Sequence, residues 1–400
     1  MKQTHRFARY LACVGLIAGT LSLWGCGSAS TYDPITPTRI VAFGDALVDV
    51  GQTARTVTIN GNATKYRYTV NNVVSGATSN TSNTFIEYLA SYFGIGSVSY
   101  AGDSLSGAGR LPSTGGYSYG EFGAMVSGAA GVMDARGCVK VASTATAHCA
   151  YNLQAQIDLF LSQGSPTSTD LFVISIGTGD IMAAGIRSLT SVTATSPYAG
   201  LSTVQTALGG TLTTTAAINA QMQAAADALA VQVKRLTDAG AKYVLIVGPP
   251  NVGRTPWARE VGMTEVLGYL SYANSAGYTS MGAEGLSRIQ ATFGSAMNNP
   301  ILYVEIAGLV NTLTSGTSAN TTFADQTSAA CAATQSTTDN AQSIGTGFTT
   351  ARVSSALCTT ATVGTAASYV YADGVNFTPS MQSQFYNQAL ARMRLAAWIN

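Results

Sequence analysis

Charged side chains are scarce in this sequence. Lysine, arginine, aspartate and glutamate make up 10% of its 400 residues, whereas soluble domains usually carry about a quarter. The formal net charge is only +1, so nothing indicates the basic surface that binding to nucleic acid requires. Hydrophobic residues reach 46%, which is enough for a sizeable core, and a chain of this length can fold as one large α/β unit.

Histidine is scarcer still. The sequence has only His5 and His148, and the first lies in an N-terminal segment that we expect to be removed. A protein zinc site needs several histidines or closely spaced cysteine pairs, and the chain offers neither. We therefore expect no metal ion and no cofactor. His148 lies beside Cys149, where a surface position is a simpler interpretation than a catalytic one.

Long apolar runs are absent beyond the N-terminus, so no transmembrane helix is predicted. At the N-terminus, three basic residues precede the apolar stretch 10–23, a pattern typical of a signal peptide. The stretch ends in Leu23-Trp24-Gly25-Cys26, which resembles the lipobox of bacterial lipoproteins, where the cysteine becomes lipidated. The alternative is an ordinary cleaved signal peptide with an unrelated cysteine.

The lipobox resemblance implies a domain organisation and a location. Residues 1–25 would be the signal peptide, Cys26 would carry the lipid, and residues 26–38 would tether the domain at 39–400. Gly27 follows the cysteine where an aspartate would favour the inner membrane. We therefore expect an exported lipoprotein of the outer membrane, facing the periplasm or the cell surface.

Four cysteines remain for structure: Cys138, Cys149, Cys331 and Cys358. An even number in an exported chain indicates two disulfides. Of the three possible pairings, we favour the one that joins neighbours in sequence, Cys138 with Cys149 and Cys331 with Cys358. The second bond would pin a Thr-, Ser- and Ala-rich loop at about 314–368.

Strands and helices alternate along the rest of the chain. Continuous apolar runs predict strands, and 3.6-residue periodicity predicts helices between them. The strands are at 39–43, 170–176, 242–247 and 301–306, and the helices at 84–93, 154–161, 216–238, 267–293 and 380–398. This alternation predicts a parallel sheet with helices on both faces. Chemistry in such sheets lies at the carboxyl ends of the strands, here Gly44-Asp45-Ala46, taken as the turn into a helix, and Gly177–Asp180.

Five short motifs at these positions resemble the blocks of the GDSL, or SGNH, ester hydrolases. They are RIVAFGDALVDVG at 39–51, TFIEYLA at 84–90, SGAAG at 127–131, ISIGTGD at 174–180 and YVYADGVNFTP at 369–379. The resemblance covers 39–400 and implies a flavodoxin-like, three-layer α/β sandwich around a parallel sheet. In that family a serine attacks the ester, a histidine takes its proton, and an aspartate orients the histidine. The serine amide, a glycine and an asparagine form the oxyanion hole.

The chain departs from this pattern at three positions. Ala46 stands where the family has its nucleophile, Gly179 where it has the oxyanion asparagine, and Asn376 where it has the histidine. Asp373 and Gly128 match the aspartate and the oxyanion glycine. A methyl group cannot attack an ester, and a carboxamide has no basic nitrogen. We therefore expect a disabled site that binds an acyl or glycan-like ligand instead of cleaving it.

Two other hypotheses stay open. The first is a working carboxylic ester hydrolase with relocated catalytic residues, for which Ser127 and Thr178 are candidate nucleophiles and Lys140 and Lys242 candidate bases. The second is a structural or adhesive envelope protein that acts through its Thr/Ser-rich loops. The expected partners are a small ester, an acyl or glycan-like ligand and, through the lipid, the membrane. Asp45 and Asp49 also have a simpler interpretation as acids at the start of a helix.

Overall fold

A computed structural model describes the chain from residue 34 onward, with gaps. The described residues are 34–51, 67–72, 83–101, 111–127, 138–139, 148–189, 201, 205–206, 208–296, 300–316, 322–331, 358, 360 and 366–400. Ile35–Ile399 form one compact unit. Met1–Pro34 with Asn400 form another, of which only Pro34 and Asn400 are described. The predictions for the signal peptide and Cys26 lie outside the described residues.

A six-stranded sheet organises this unit, and all of its strands are parallel. Its strands are β1 (Arg39–Gly44), β2 (Val98–Tyr100), β3 (Gly115–Ser118), β6 (Asp170–Ser175), β7 (Tyr243–Val247) and β8 (Ile301–Val304), in the order β2-β3-β1-β6-β7-β8. Two smaller pairs are β4 (Cys138–Val139) with β5 (His148–Cys149), and β9 (Asp325–Ala329) with β10 (Tyr369–Tyr371). The predicted parallel sheet is confirmed.

Helices cover both faces of the sheet. Those in the described part are α1 (Phe85–Tyr92), α2 (Leu153–Gln163), α3 (Thr178–Ser188), α4 (Thr215–Asp238), α5 (Pro256–Glu260), α6 (Thr264–Ser271), α7 (Met281–Phe293), α8 (Ala307–Leu313) and α9 (Pro379–Leu395). Side chains alternate along each strand, so Phe43 and Phe172 join one core with α2, α3, α4, α6 and α7. Ile40 and Leu171 join the other with α1, α8 and α9. This is the expected three-layer sandwich.

A buried ion pair ties the two central strands together where they begin. Arg39 Nε donates to Asp170 Oδ1 over 2.8 Å, and Arg39 Nη2 donates to Asp170 Oδ2 over 2.5 Å. Arg39 Nη1 donates to the carbonyl oxygen of Pro112, and Nη2 also donates to that of Ser165. Such bidentate pairing satisfies both buried charges and holds β1 in register with β6.

Two sequence predictions need correction. The helix predicted at 267–293 is two helices, α6 and α7, because the chain turns at 272–280 and Ser280 caps α7 by accepting a bond from the Ala283 amide. The loop predicted at about 314–368 contains a strand, β9, which pairs with β10 because both flank the disulfide region. Residues 332–357 of that loop lie outside the described residues.

The structure joins Cys331 and Cys358 in a disulfide. Both cysteines are buried and pack with Val70, Ala330 and Ala372. The backbones of Cys138 and Cys149 lie opposite one another in the antiparallel β4–β5 pair. Their side chains lie outside the description, so a second disulfide stays a prediction. No helix in the described ranges combines the length and apolarity that crossing a membrane demands.

Candidate functional site

The candidate site lies at the carboxyl ends of β1 and β6, the adjacent central strands. The chain leaves β1 towards β2 and β3 on one side, and later continues from β6 to β7 and β8 on the other. Ligand sites of open parallel sheets lie at this kind of reversal. Gly44 pairs with Ser175 there. A Cβ at Gly44 would lie 1.8 Å from the Ser175 oxygen, so only glycine fits.

The turn after β1 is held by side chains and does not start a helix. Gln156 of α2 is fully buried and clamps Gly44, accepting its N–H over 2.7 Å and donating to its carbonyl over 2.9 Å. Asp49 accepts the amides of Gly51 and Phe122 over 2.8 and 2.9 Å. The helix predicted after Asp45 is therefore wrong, because Asp49 organises a turn that joins β1 to the segment after β3.

The three substituted positions line one small pocket. Ala46, Gly179 and Asn376 contribute to it, together with Asp45 and Thr178. The described residues leave a volume of about 20 Å³, which is room for about one water molecule. The structure thus brings together the three positions at which the chain departs from the family's pattern. Gly128, the candidate oxyanion glycine, lies outside the described residues.

Asp373 and Asn376, which the resemblance places at the family's aspartate and histidine positions, are hydrogen-bonded to each other. The Asn376 carboxamide donates from Nδ2 to Asp373 Oδ2 over 2.8 Å. Asp373 Oδ1 also accepts the backbone amides of Val375 and Asn376, over 2.8 and 2.6 Å. Both side chains are buried. An amide held in this way is oriented by the carboxylate as an imidazole would be, but it has no nitrogen that can take a proton.

The chain itself occupies the space beside Gly179. A Cβ on this residue would lie 2.5 Å from the carbonyl oxygen of Ala124 and 3.1 Å from Cγ of Met125. Real side chains do not approach a backbone oxygen so closely. An asparagine therefore does not fit here unless the segment around Ala124 moves. A carbonyl oxygen near this point also disfavours the negative charge that an oxyanion hole must stabilise.

Two buried acids belong to this region: Asp45, which lines the pocket, and Asp180, which follows Gly179 in the sequence. Burial raises the pKa of Asp45 to about 7, and the nearby Thr178 hydroxyl and the amides of Leu47 and Thr178 offset part of that rise. Asp45 Oδ2 makes no hydrogen bond with any described residue. Burial likewise raises the pKa of Asp180 to about 7, and the charge of Asp45 adds to the effect. Asp180 Oδ2 accepts the Val126 amide over 2.8 Å.

Sequence reasoning missed Gln156 and Ala124. Gln156 is an ordinary polar residue of an amphipathic helix in the sequence, and only its packing against Gly44 shows its role. Ala124 acts through a backbone oxygen, which no residue type reveals. The described residues contain no cluster of three or more His, Cys, Asp or Glu that could hold a metal ion.

A family model matches most of the chain. The model of the family described as GDSL-like Lipase/Acylhydrolase matches residues 40–389. This range runs from the second residue of β1 into α9 and includes all three substituted positions. A search of curated proteins found no significant match.

Proposed function

The chain belongs to the GDSL-like lipase/acylhydrolase family, whose members act on small-molecule esters. We propose that this chain no longer hydrolyses such esters at the site that the family uses. It is a lipoprotein of the cell envelope, anchored through Cys26 to the outer membrane. Its role is to bind an acyl or glycan-like ligand at the carboxyl edge of the sheet. The signal-peptide pattern and the lipobox resemblance support the location.

One observation carries the catalytic part of the proposal, namely the bond from Asn376 Nδ2 to Asp373 Oδ2. Catalysis by a hydroxyl nucleophile needs a group that takes its proton and later returns it. Asn376 occupies that position, is fixed by the carboxylate, and has no basic nitrogen. Ala46, which lines the same pocket, has no hydroxyl to activate. When triad members are lost, a hydrolase still accelerates the reaction by roughly 10³–10⁴-fold over the reaction in water, and this remainder comes from substrate binding and the oxyanion hole.

The oxyanion region supports the same conclusion independently. Removing one oxyanion donor costs roughly 10²–10³ in rate. Here the donor position is Gly179, and the Ala124 oxygen lies 2.5 Å from where its Cβ would be. A hydrogen-bond acceptor therefore lies beside the residue from which the family's asparagine would donate. The residual rate should fall well below that of a site that lacks only its serine.

The test is hydrolysis of a short-chain chromogenic ester by the mature chain. We expect no turnover above the buffer rate and no labelling by a fluorophosphonate. The Ala46→Ser/Asn376→His variant restores a nucleophile and a base without touching the crowded Gly179, and it should gain measurable turnover. The matched control is Ala46→Ser/Asn376→Gln, which has the hydroxyl but no base. Turnover at enzymatic rates by the unmodified chain would overturn the proposal.

A second candidate function is ester hydrolysis through relocated residues. Thr178 and Asp45 line the pocket together, and Asp45 has a pKa of about 7, which suits a general base at neutral pH. In this reaction the Thr178 hydroxyl attacks the ester carbonyl, Asp45 takes its proton, and the leaving alcohol receives that proton, which leaves the acyl group on Thr178. Water then cleaves this acyl-enzyme: Asp45 takes a proton from the water and returns it to the Thr178 oxygen as the carboxylic acid leaves. Turnover that disappears in Thr178→Val would establish this function. Turnover that persists in this variant would exclude it.

A further inference from the structure

A second, wider groove lies next to the candidate site. It has a volume of about 420 Å³, within the range of roughly 300–1,000 Å³ that small-ligand pockets occupy. It is built by the segment after β7 together with α5, α6 and α8. Its walls combine polar and aromatic residues, among them Arg254, Arg259, Glu265, Tyr269, Tyr272 and Asn311.

Two arginines present unused hydrogen-bond donors to this groove. Arg254 Nε donates to Asn311 Oδ1 over 3.2 Å, and Arg259 Nε donates to the Arg254 carbonyl over 3.4 Å. Throughout the described ranges, the terminal nitrogens of both guanidiniums lack a protein acceptor, and neither arginine forms an ion pair. Both side chains are exposed. Anchored through Nε, they keep the planar donor pairs that recognise carboxylates and phosphates.

The two guanidiniums converge on one region. Burial raises the pKa of Tyr371 above its ordinary range, and the charges of Arg259 and Arg254 both act to lower it. Both cations therefore lie within electrostatic reach of one phenol. Asn311 Oδ1 also accepts from Asn251 Nδ2 over 2.6 Å, so the acceptor that positions Arg254 is itself fixed. The cationic side of the groove is prearranged before any ligand arrives.

Two tyrosines, Tyr269 and Tyr272, also line the groove and form what we call its aromatic side. The Tyr272 side chain is 45% exposed. Tyr269 is held by stacking on Tyr278, with ring centroids 5.9 Å apart and planes at 15°. An exposed tyrosine offers an apolar ring face and a hydroxyl that bonds to polar groups. Glu265 adds carboxylate acceptors suited to hydroxyl donors.

The groove is linked to the candidate site by the chain and by a backbone hydrogen bond. Pro250 lines the small pocket and Asn251 lines the groove. The Trp257 amide, between the two arginines in sequence, donates to the Gly374 carbonyl over 2.9 Å. Gly374 lies in the turn that carries Asp373 and Asn376. A ligand in the groove therefore lies beside the last family motif, whereas the small pocket has room for about one water molecule.

We propose that this groove binds an acidic saccharide, with its carboxylate on the Arg254–Arg259 pair and a sugar ring against Tyr272. The inference rests on the ligand-binding part of the proposed function but not on the absence of hydrolysis. An uncharged sugar could accept hydrogen bonds from the guanidiniums but would not form the stronger, charge-assisted bonds that a carboxylate forms. A simple inorganic or organic anion would leave the aromatic side unused.

The test is calorimetric titration of the mature chain at low ionic strength with three probes. They are cellobiouronic acid, its neutral counterpart cellobiose, and acetate. We expect cellobiouronic acid to bind about tenfold or more tightly than either of the others, because only it uses both sides of the groove. Equal binding of cellobiose would overturn the role of the arginines. Equal binding of acetate would overturn the saccharide.

Variants locate the site. Arg254→Gln and Arg259→Gln should each weaken cellobiouronic acid binding by about tenfold, and Tyr272→Ala should weaken it too. The matched control is Lys242→Ala, which removes one exposed positive charge outside the groove and should bind normally. Equal weakening in the control would mean that net charge alone attracts the ligand, which contradicts the proposal. Unchanged thermal unfolding shows that each variant is folded.

The two proposals fail separately. Ester turnover by the unmodified chain would overturn the proposal that the chain no longer hydrolyses esters, and it would not affect the conclusion from the titration. Binding of cellobiouronic acid that survives both arginine variants would keep a ligand-binding function and remove the groove assignment. Absence of cellobiouronic acid binding would overturn the inference itself.

Discussion

Asp45→Asn should flatten the dependence of stability on pH. Asp45 is buried with Oδ2 unpaired among the described residues, and its pKa is raised from 3.8 to about 7. Between these two values the folded chain holds a proton that the unfolded chain has released. The free energy of unfolding must therefore fall as pH rises through this window, and the loss levels off above about pH 7. Asparagine cannot ionise, so the variant lacks this loss.

The size of the effect follows from the shift. Each pH unit between the unfolded and the folded pKa costs about 1.4 kcal/mol. From about pH 5 to about pH 8, Asp45 alone should lower the free energy of unfolding by about 2–3 kcal/mol. Asp180 acts in the same direction, and its pKa should decrease in the variant because the charge of Asp45 raises it. The free energy of unfolding of the variant should therefore depend on pH even less than loss of the Asp45 carboxyl alone predicts.

The assay is urea unfolding followed by tryptophan fluorescence at about pH 5, 6, 7 and 8. Asp238→Asn is the matched control, because Asp238 is an exposed acid whose side chain is 61% accessible in its pair with Lys234. The control should follow the unmodified chain at every pH. If Asp45→Asn also follows it in parallel, Asp45 ionises normally and the reasoning from burial is wrong.

Three further predictions concern the scaffold. Replacing Cys331 and Cys358 by serine opens a 27-residue loop and should lower the free energy of unfolding by about 3–4 kcal/mol, measured in urea beside a reduced sample. Asp170→Ala leaves Arg39 buried and unpaired, which should cost about 3–5 kcal/mol, whereas replacing both by apolar residues should cost much less. Gly179→Asn should cost about 1–3 kcal/mol by overpacking, and an unchanged melting temperature would contradict the crowding described here.

The sequence predicted the central strands well for a physical reason. Strands β1, β6 and β7 are buried on both faces, so they read as short, continuous apolar runs between turn residues. For each of these three strands, the predicted and observed bounds differ by one residue at one end. The run of helical periodicity at 267–293 was misleading because both of its helices share the apolar spacing. Asn274 and Gly277 lie between them, and turn residues of this kind were the signal for the break.

The candidate site was predictable only in part. Ala46 and Gly179 lie at one edge of the six-stranded sheet because its parallel strands end on the same side. Asn376 follows β10 of the separate β9–β10 pair, and the motif order alone did not predict how that pair is placed against the sheet. The turn after Asp45 was not predictable, because Asp49 and Gln156 hold it through contacts with segments about 70 and 110 residues away in the sequence. The arginine groove was also missed, since α5, α6 and α8 build it from residues that carry no motif.

The departure at Gly179 differs in kind from the one at Ala46. An alanine at the nucleophile position removes a hydroxyl but does not change the backbone, so a serine can be reintroduced there. At Gly179 the Ala124 carbonyl has closed the space that a side chain would need, while Asp180, the next residue, holds Val126 of the same segment through its carboxylate. The glycine and the segment therefore fit each other. Restoring full activity would require moving this segment as well as replacing three residues, and for that reason the double variant should recover only part of a hydrolase rate.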